Sequence, residues 1–385
     1  MIQKSLQEIL PHLIKLRKQL HTYPELSGNE SGTSKLIKEF IEPFHPFKVI
    51  KLGNTGLAFI LDGEEVGPTI MFRADMDALP INEINRFSYK SKIKGVSHLC
   101  GHDGHIAILS GLAYILNKHP VKKGKVVLLF QPAEETGQGA QEMMNDPAFS
   151  EIIPDFIFAL HNLPGFSLGE IIIKDDIFCA ASQGMIVKLF GKTSHAAHPE
   201  KGLSPVLAFT EIIGKLLALN EKKEVYNDFV LLTIIHSRLG EVAFGTNPGY
   251  AEILATIRSY RDDDMQTIAQ QAETIILTSA KKFGLKYNLN WTEQFDATIN
   301  HPDAVKTVVE SASKLKNNVS TSQIPFKWSE DFGAFLKSYK GALFGLGAGK
   351  NTTELHNPDY DFPDGLIEKG IMIFYEILRT LNLIE

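Results

Sequence analysis

The sequence predicts an α/β protein, a central sheet flanked by helices, with a smaller α+β segment inserted into it. Three observations predict this. Apolar runs of strand length recur at 56–61, 69–72, 125–130 and 156–160, and a continuous helical stretch at 104–118 lies between the second and third. From about 184 to 295 the order of elements changes to β-α-β-β-α-β. Helices and strands then resume, up to a last helix at about 365–382.

In chain order, the first helix is read from Leu6, Ile9, Leu10, Leu13, Ile14 and Leu16, which recur at helical spacing with polar residues between them. A second short helix follows near 31–42. The runs GLAFIL, TIMF, KVVLLF and FIFAL are apolar without alternation, the pattern of strands covered on both faces. Inside the insert, GMIVKLFG reads as a strand and LSPVLAFTEIIGKLLALN as a helix. FVLLTIIHS and AEILATIRSY follow as strands, then DDMQTIAQQAETIILTSAKKF as a helix and KYNLNWTEQF as a last strand. That is the split-βαβ, ferredoxin-like order. The expected domains are 1–183 with 296–385, and 184–295.

A chain of 385 residues, 44% hydrophobic and 22% charged, has the composition of an ordinary globular protein and the length for two domains, or for one domain with a large insertion. The formal net charge of -6 argues against nucleic acid or an anionic membrane as the main partner, since both favour clustered Lys and Arg. Two cysteines, Cys100 and Cys179, form no disulfide framework, which argues for a reducing compartment. The N-terminal stretch lacks the apolar core and small-residue cleavage site of a signal peptide, and no apolar run approaches the roughly 20 residues that span a bilayer. A soluble, cytoplasmic protein is expected.

The reactive residues follow the strands. Asp75 and Asp77 come directly after TIMFRA, Glu134 and Glu135 after VVLLFQPA, and His161 after FIFAL. Ligand sites of open α/β sheets form just beyond such C-terminal strand ends. The segment SHLCGHDGH puts Cys100 and His102 one residue apart, immediately before the apolar helix. Thiolate and imidazole are good ligands for Zn²⁺ and its neighbours. A helix-capping loop, with Asp103 as cap and Cys100 as filler, is the alternative. It explains one polar residue and leaves the others. The Glu134–Glu135 pair, taken alone, reads as solvated surface. After an apolar strand, and beside a Cys/His cluster, it reads as two carboxylates with two roles, because adjacent residues of an extended chain point in opposite directions.

The motifs resemble those of the aminoacylase, hippurate hydrolase and carboxypeptidase group of dinuclear metallopeptidases. The resemblance is closest to the N-acyl-amino-acid amidohydrolases, which include auxin-conjugate hydrolases and N-acetyl-diaminopimelate deacetylases. It is carried by RKQLHTYPELSGNE, FRADMDALP, HLCGHDGH, LLFQPAEETGQGA, ALHNLP, GKTSHAAHP, SEDF and LHNPDYDFPD, in order along nearly the whole chain. It implies a metallopeptidase-type catalytic domain, with the insert as lid and dimerisation domain. It implies Cys100, His102, Glu135, His161 and His356 as ligands of two divalent ions, Mn²⁺ or Zn²⁺ with Ni²⁺ or Co²⁺ as further candidates, and a sulfur that reaches both. Glu134 is then the general base. Asp75 and Asp77 support the ligands, and His195 is the lid histidine that polarises the scissile carbonyl. Relatives carry Asn-x-x-Pro in the lid, where the Asn meets the substrate carboxylate. Here Gly245 stands three before Pro248 and Asn247 directly before it, and Arg258 stands where the family often has a lid arginine, so the resemblance makes Asn247 and Arg258 the expected substrate-binding residues.

The chemistry this implies is hydrolysis of the amide of an N-acyl amino acid by activated water. Small-peptide cleavage, as in the family's carboxypeptidases, is the neighbouring alternative. A thiol hydrolase using Cys100 with His102 leaves Glu135, His161 and His356 unexplained. A metal-stabilised binding protein leaves Glu134 and His195 without a role. The string GLGAG at 345–349 lacks the spacing of a dinucleotide-binding loop. A homodimer through the insert is expected, because a four-stranded sheet leaves an edge that a second copy can pair.

Overall fold

The structure, a computed structural model, describes residues 2–385. The chain divides into two compact units, one running to Phe178 and continuing with Thr298–Ile324 and Asp331–Glu385, the other made of Cys179–Ala297 and Pro325–Glu330.

In the larger unit, strands β1 (Lys48–Leu52), β2 (Gly56–Asp62), β3 (Glu65–Asp75), β4 (Lys123–Gln131), β5 (Phe156–Pro164) and β6 (Ile171–Ile173) join the strands Val319–Thr321 and Gly341–Gly349 in one eight-stranded sheet. At its centre β4, β3, β5 and Gly341–Gly349 run parallel in that order, so their C-terminal ends lie on one side. β1 and β2 extend it antiparallel on the β4 side.

Alternation sorts the side chains of each strand to two faces. Ile70, Phe72, Leu128, Phe130, Phe158 and Phe344 share a core with helices α1 (Ile2–Thr22), α2 (Ser31–Ile41), α3 (His102–Lys118) and Leu366–Thr380. Phe72 meets Phe374 of the last helix at 4.6 Å between ring centroids. The intervening residues Met71, Arg73, Val127 and Leu129 are buried as well. Both faces are therefore covered, which is why these strands read as unbroken apolar runs. Pro11 lies inside α1, a position the apolar spacing alone does not reveal.

The smaller unit is a four-stranded antiparallel sheet in the order Val230–Leu239, Tyr250–Ser259, Ala181–Phe190, Lys286–Phe295. Its helices, Val206–Leu217 and Asp262–Lys282, bury Ile212, Ile268 and Ile276 with Val187, Leu189, Ile253 and Ile257. The unit starts at Cys179 and takes in 325–330, where the sequence reading has 184–295. Hydrogen bonds account for the difference. Ala180 N donates to the carbonyls of Phe326 at 3.0 Å and Trp328 at 3.1 Å, and Arg258 Nη1 donates to the Lys327 carbonyl and Ser329 Oγ, both at 3.0 Å. Among the described residues no helix is long and apolar enough to cross a membrane.

Candidate metal centre

The helix α3 starts at the strand ends, and its first residue is His102. Gly101 makes the turn with φ +95°, where a Cβ would sit 2.5 Å from Asn162 Oδ1. Only glycine combines that backbone with that contact. Asp103 is not the cap foreseen for a bland loop. Gly101 holds the capping position, and Asp103 is instead buried against Arg17 and His21.

After β4, Ala133 takes φ +50° and the chain turns, with Gly137 N donating to the Glu134 carbonyl at 2.8 Å. Glu30, fully buried, fixes this turn by accepting from Ala133 N at 2.9 Å. The acidic pair thus sits in a turn, and the premise of an extended chain with opposed side chains does not hold. Glu134 Oε2 and Glu135 Oε1 come within 4.0 and 3.9 Å of the same atom, His102 Nε2.

That atom is the best marker of the site. His102 Nδ1 donates to the Asp77 carbonyl at 2.9 Å, which leaves Nε2 as the inward-facing nitrogen. Nε2 is buried without a hydrogen-bond partner, surrounded by Glu134, Glu135 and, at 3.7 Å, Asp75 Oδ2. A buried nitrogen ringed by carboxylates calls for a cation among them. Two overlapping triads present ligand atoms within 4.8 Å of one another: Cys100, His102 and His161, and Cys100, Glu135 and His356. Cys100 is common to both. Cys100 Sγ lies 3.5 Å from His161 Nε2, and His161 Nδ1 faces the Asn162 carbonyl at 3.0 Å. His356 Nε2 lies 3.8 Å from Glu135 Oε1. It sits on a loop with φ +65°, its backbone N donating to the Leu99 carbonyl at 2.8 Å. A thiolate, a carboxylate and three imidazoles fit Zn²⁺ and the later transition metals, and the shared sulfur fits a pair of ions.

The electrostatics follow from burial and crowding. Burial works against a charge on His102, but Asp75 and Cys100 hold the imidazole well above its ordinary value. Burial, with Glu135 beside it, pushes the Cys100 thiol up. A thiol so placed is a poor nucleophile until a cation draws off its proton. Burial and His105 bring His161 down to about 3, so its imidazole is neutral and able to ligate.

The remaining residues around the cluster orient it. Asp77 Oδ2 accepts from Ser27 Oγ at 2.6 Å and Glu135 N at 3.0 Å, linking the His102 and Glu135 segments. Asp75 bridges Arg73 Nη1 at 2.7 Å and His105 Nδ1 at 2.6 Å. Arg73 continues to Gln131 Oε1 at 2.7 Å and Asp331 Oδ1 at 2.9 Å, and Asp331 N faces Glu134 Oε1 at 3.3 Å. Sequence reasoning missed His105, Arg73 and Asp331. The signal for His105 is its spacing of three from His102, which puts both rings on one helix face, 5.6 Å apart.

Three expected residues lie in the smaller unit. His195 forms a two-residue ladder with Thr246, and Asn247 pairs with Ser194. Ala197 N donates to His195 Nδ1 at 3.0 Å, which leaves the proton on the exposed Nε2. Asn247 Nδ2 donates to Ser194 Oγ at 3.1 Å. Burial lowers the pKa of Arg258 from its ordinary value.

A cysteine–histidine–carboxylate cluster at the strand ends of an open α/β sheet is the architecture of a metallohydrolase. Residues 71–380 match peptidase family M20/M25/M40, and the chain belongs to that family. It is 31% identical over 98% of its length to N-acetyl-L-cysteine deacetylase of Bacillus subtilis (strain 168), covering 90% of that relative. It is 30% identical over 94% of its length to N-acetyldiaminopimelate deacetylase of Priestia megaterium, covering 96% of that relative. The crystal structure of the Bacillus subtilis YXEP protein, a dinuclear metal binding peptidase from the M20 family, superimposes with a TM-score of 0.80 at 26% identity, covering 98% of this chain and 100% of that one.

Proposed function

We propose that the protein is a metal-dependent amidohydrolase that cleaves the amide bond of N-acyl amino acids. The observation that carries the reading is the pair of ligand triads sharing Cys100, with a further carboxylate, Glu134, beside them. A closed structural metal site needs no such spare base.

In this reading Cys100, His102, Glu135, His161 and His356 hold two divalent ions, Mn²⁺ or Zn²⁺, with Ni²⁺ or Co²⁺ as alternatives. When bound, the ions acidify water and stabilise the negative charge that develops on the carbonyl oxygen. Glu134 takes the proton of the attacking water and returns it to the leaving amine. Asp77 fixes the His102 tautomer through its carbonyl, and Asp75 holds compensating charge nearby. His195 donates a hydrogen bond from its Nε2–H to the oxyanion, an interaction of about 3–4 kcal/mol in comparable sites. Arg258, half-buried and donating to two neutral oxygens, the Lys327 carbonyl and Ser329 Oγ, suits a substrate carboxylate, with Asn247 as the second polar contact. We further infer a cytoplasmic enzyme, since both cysteines are free. A homodimer would form through the edge strand Val230–Leu239, which exposes Ile235.

The test is a hydrolysis screen of N-acetyl, N-benzoyl and indole-acyl amino acids after chelation, with Mn²⁺, Zn²⁺, Co²⁺ and Ni²⁺ restored singly. Activity that returns only with metal is expected. Full activity in chelator would instead mark Cys100 as a nucleophile, and preferential cleavage of dipeptides would mark a small-peptide carboxypeptidase.

A further inference from the structure

We propose that Arg17 is a positioning residue for the metal centre, clamping the loop that carries His356 to the helix that carries His102. The proposal rests on the ligand assignment above. Arg17 lies in α1 on the face of Leu13, Leu16 and Leu20, and this charged side chain is fully buried. Its guanidinium reaches two separate segments. Nη1 donates to Asp103 Oδ2 at 3.1 Å, and Asp103 directly follows His102. Nη1 also donates to Asp361 Oδ1 at 3.0 Å, and Nε to Asp364 Oδ1 at 2.6 Å. Asp361 and Asp364 belong to the loop 355–364 that contains His356.

That loop needs such a hold. It contains no strand or helix between Gly349 and Leu366, and His356 itself adopts a left-handed backbone conformation that non-glycine residues take at some energetic cost. The His356 imidazole is half exposed, with Nε2 3.8 Å from Glu135 Oε1. What fixes the loop lies behind the imidazole. Tyr89 Oη donates to Asp361 Oδ2 at 2.6 Å, Asn162 Nδ2 donates to the buried Tyr360 hydroxyl at 2.6 Å, and Arg17 joins the loop to the start of α3. A planar guanidinium with donors in fixed directions can satisfy carboxylates on two segments at once, and a lysine ammonium cannot hold the same geometry. His21, one turn on, pairs with the same Asp103 oxygen at 2.9 Å, so α1 grips the ligand-bearing helix through two cations.

Replacing Arg17 by an apolar residue would take one of two cationic partners from the buried Asp103 carboxylate and could stop folding. The informative variants therefore cut only the loop arm, whose carboxylates are partly exposed: the double substitution Asp361→Asn with Asp364→Asn, and separately Arg17→Lys. The metal-free proteins are titrated with Zn²⁺ by calorimetry and their melting temperatures compared, with His356→Ala as reference. Wild type should bind two ions and His356→Ala one. The double variant should keep the tighter ion and bind the weaker about 10- to 100-fold less well, with a metal-free melting temperature near wild type, and Arg17→Lys should show the same selective loss. If His356→Ala still takes up two ions, the ligand assignment fails. If it loses one while the double variant binds both with wild-type affinity, the clamp is overturned. Equal weakening of both ions together with a large fall in melting temperature would also overturn it, because that marks a merely structural role.

Discussion

In the larger unit Arg17, Arg73, His21, His102, Asp75, Asp77, Asp103 and Asp331 are all buried, whereas the buried polar residues of the smaller unit are Ser182, Ser259, Ser279, Asp264 and Glu330. Among its described residues the smaller unit buries no Lys, Arg or His. Its Asp264 carboxylate is satisfied by the backbone N–H groups of Asn227 and Asp228, each at 2.9 Å, which is ordinary loop anchoring. Burying a cation carries a desolvation penalty that pairing only partly offsets. The larger unit bears that penalty repeatedly, within one or two contacts of the Cys100, His102 and Glu135 cluster. The difference separates a unit stabilised by apolar packing from one whose interior is built to hold charge in fixed places.

The largest effect should come from the group that this interior aims at chemistry. Glu134→Ala should lower kcat by about 10²- to 10⁴-fold, the range for loss of a general acid–base group, while metal content by elemental analysis stays near wild type. Turnover close to wild type would mean that the buried charge serves only to hold metal. Next is the framework behind Asp75. Arg73→Leu removes one partner from a network that includes Asp75, Gln131 and Asp331, and should destabilise the larger unit by about 3–5 kcal/mol, read from urea unfolding with a probe confined to that unit. A cost no greater than that of an exposed substitution would erase the contrast between the units.

The contrast also has a pH signature. Although burial opposes it, Asp103 and Glu83 raise His21 to about 9. A group whose folded value is raised contributes stability that is fully present below its unfolded value, near 6.5, and is lost as pH rises through about 9. The shift corresponds to a contribution on the order of 3 kcal/mol. Melting temperature should therefore fall from pH 6 to pH 9.5, and His21→Gln should flatten that part of the fall. An unchanged slope in the variant would place the alkaline loss elsewhere.

Much of this was legible in the sequence, and the parts that were not share a cause. The insert's β-α-β-β-α-β order is that of the smaller unit, because period and apolar content alone place its strands and helices. In the larger unit Cys100, His102, Glu135 and His161 stand at strand ends or beside an apolar helix, so local pattern points to them. His356 has no such context. It sits in an irregular loop held from behind, and only the resemblance of LHNPDYDFPD singles it out. Arg17 and Arg73 are hidden more deeply. Arg17 continues the apolar stripe of Leu13 and Leu16, and Arg73 interrupts an apolar strand, but a charge at such a position reads as surface or as a break. What buries them is the set of carboxylates at Asp103, Asp361, Asp364, Asp75 and Asp331, brought together from distant segments by the fold. Periodicity carries no information about that.

The smallest effect is the one that tests whether geometry or burial decides. In the smaller unit Glu211 accepts from Lys215 Nζ and Lys282 Nζ, each at 2.6 Å, and from Ser279 Oγ at 3.0 Å, joining the two helices. Lys215 first, then Lys282 and Ser279, bring its carboxyl down to about 2. Such a depressed value gives stability that is present above about 4.5 and lost as pH falls through about 2. On geometry alone Glu211 looks as well held as Asp103. Its lysine partners, however, are half exposed, so water and salt screen the charges within about 8 Å at physiological ionic strength. Holding two long lysine side chains in place offsets much of what remains. Glu211→Gln should therefore leave the melting temperature of the smaller unit almost unchanged at neutral pH and physiological salt, with a modest fall at low salt. A loss approaching that of Arg73→Leu would mean that a surface ion triad can stabilise as strongly as a buried network, and the distinction between the two units would then lie in chemistry rather than in stability.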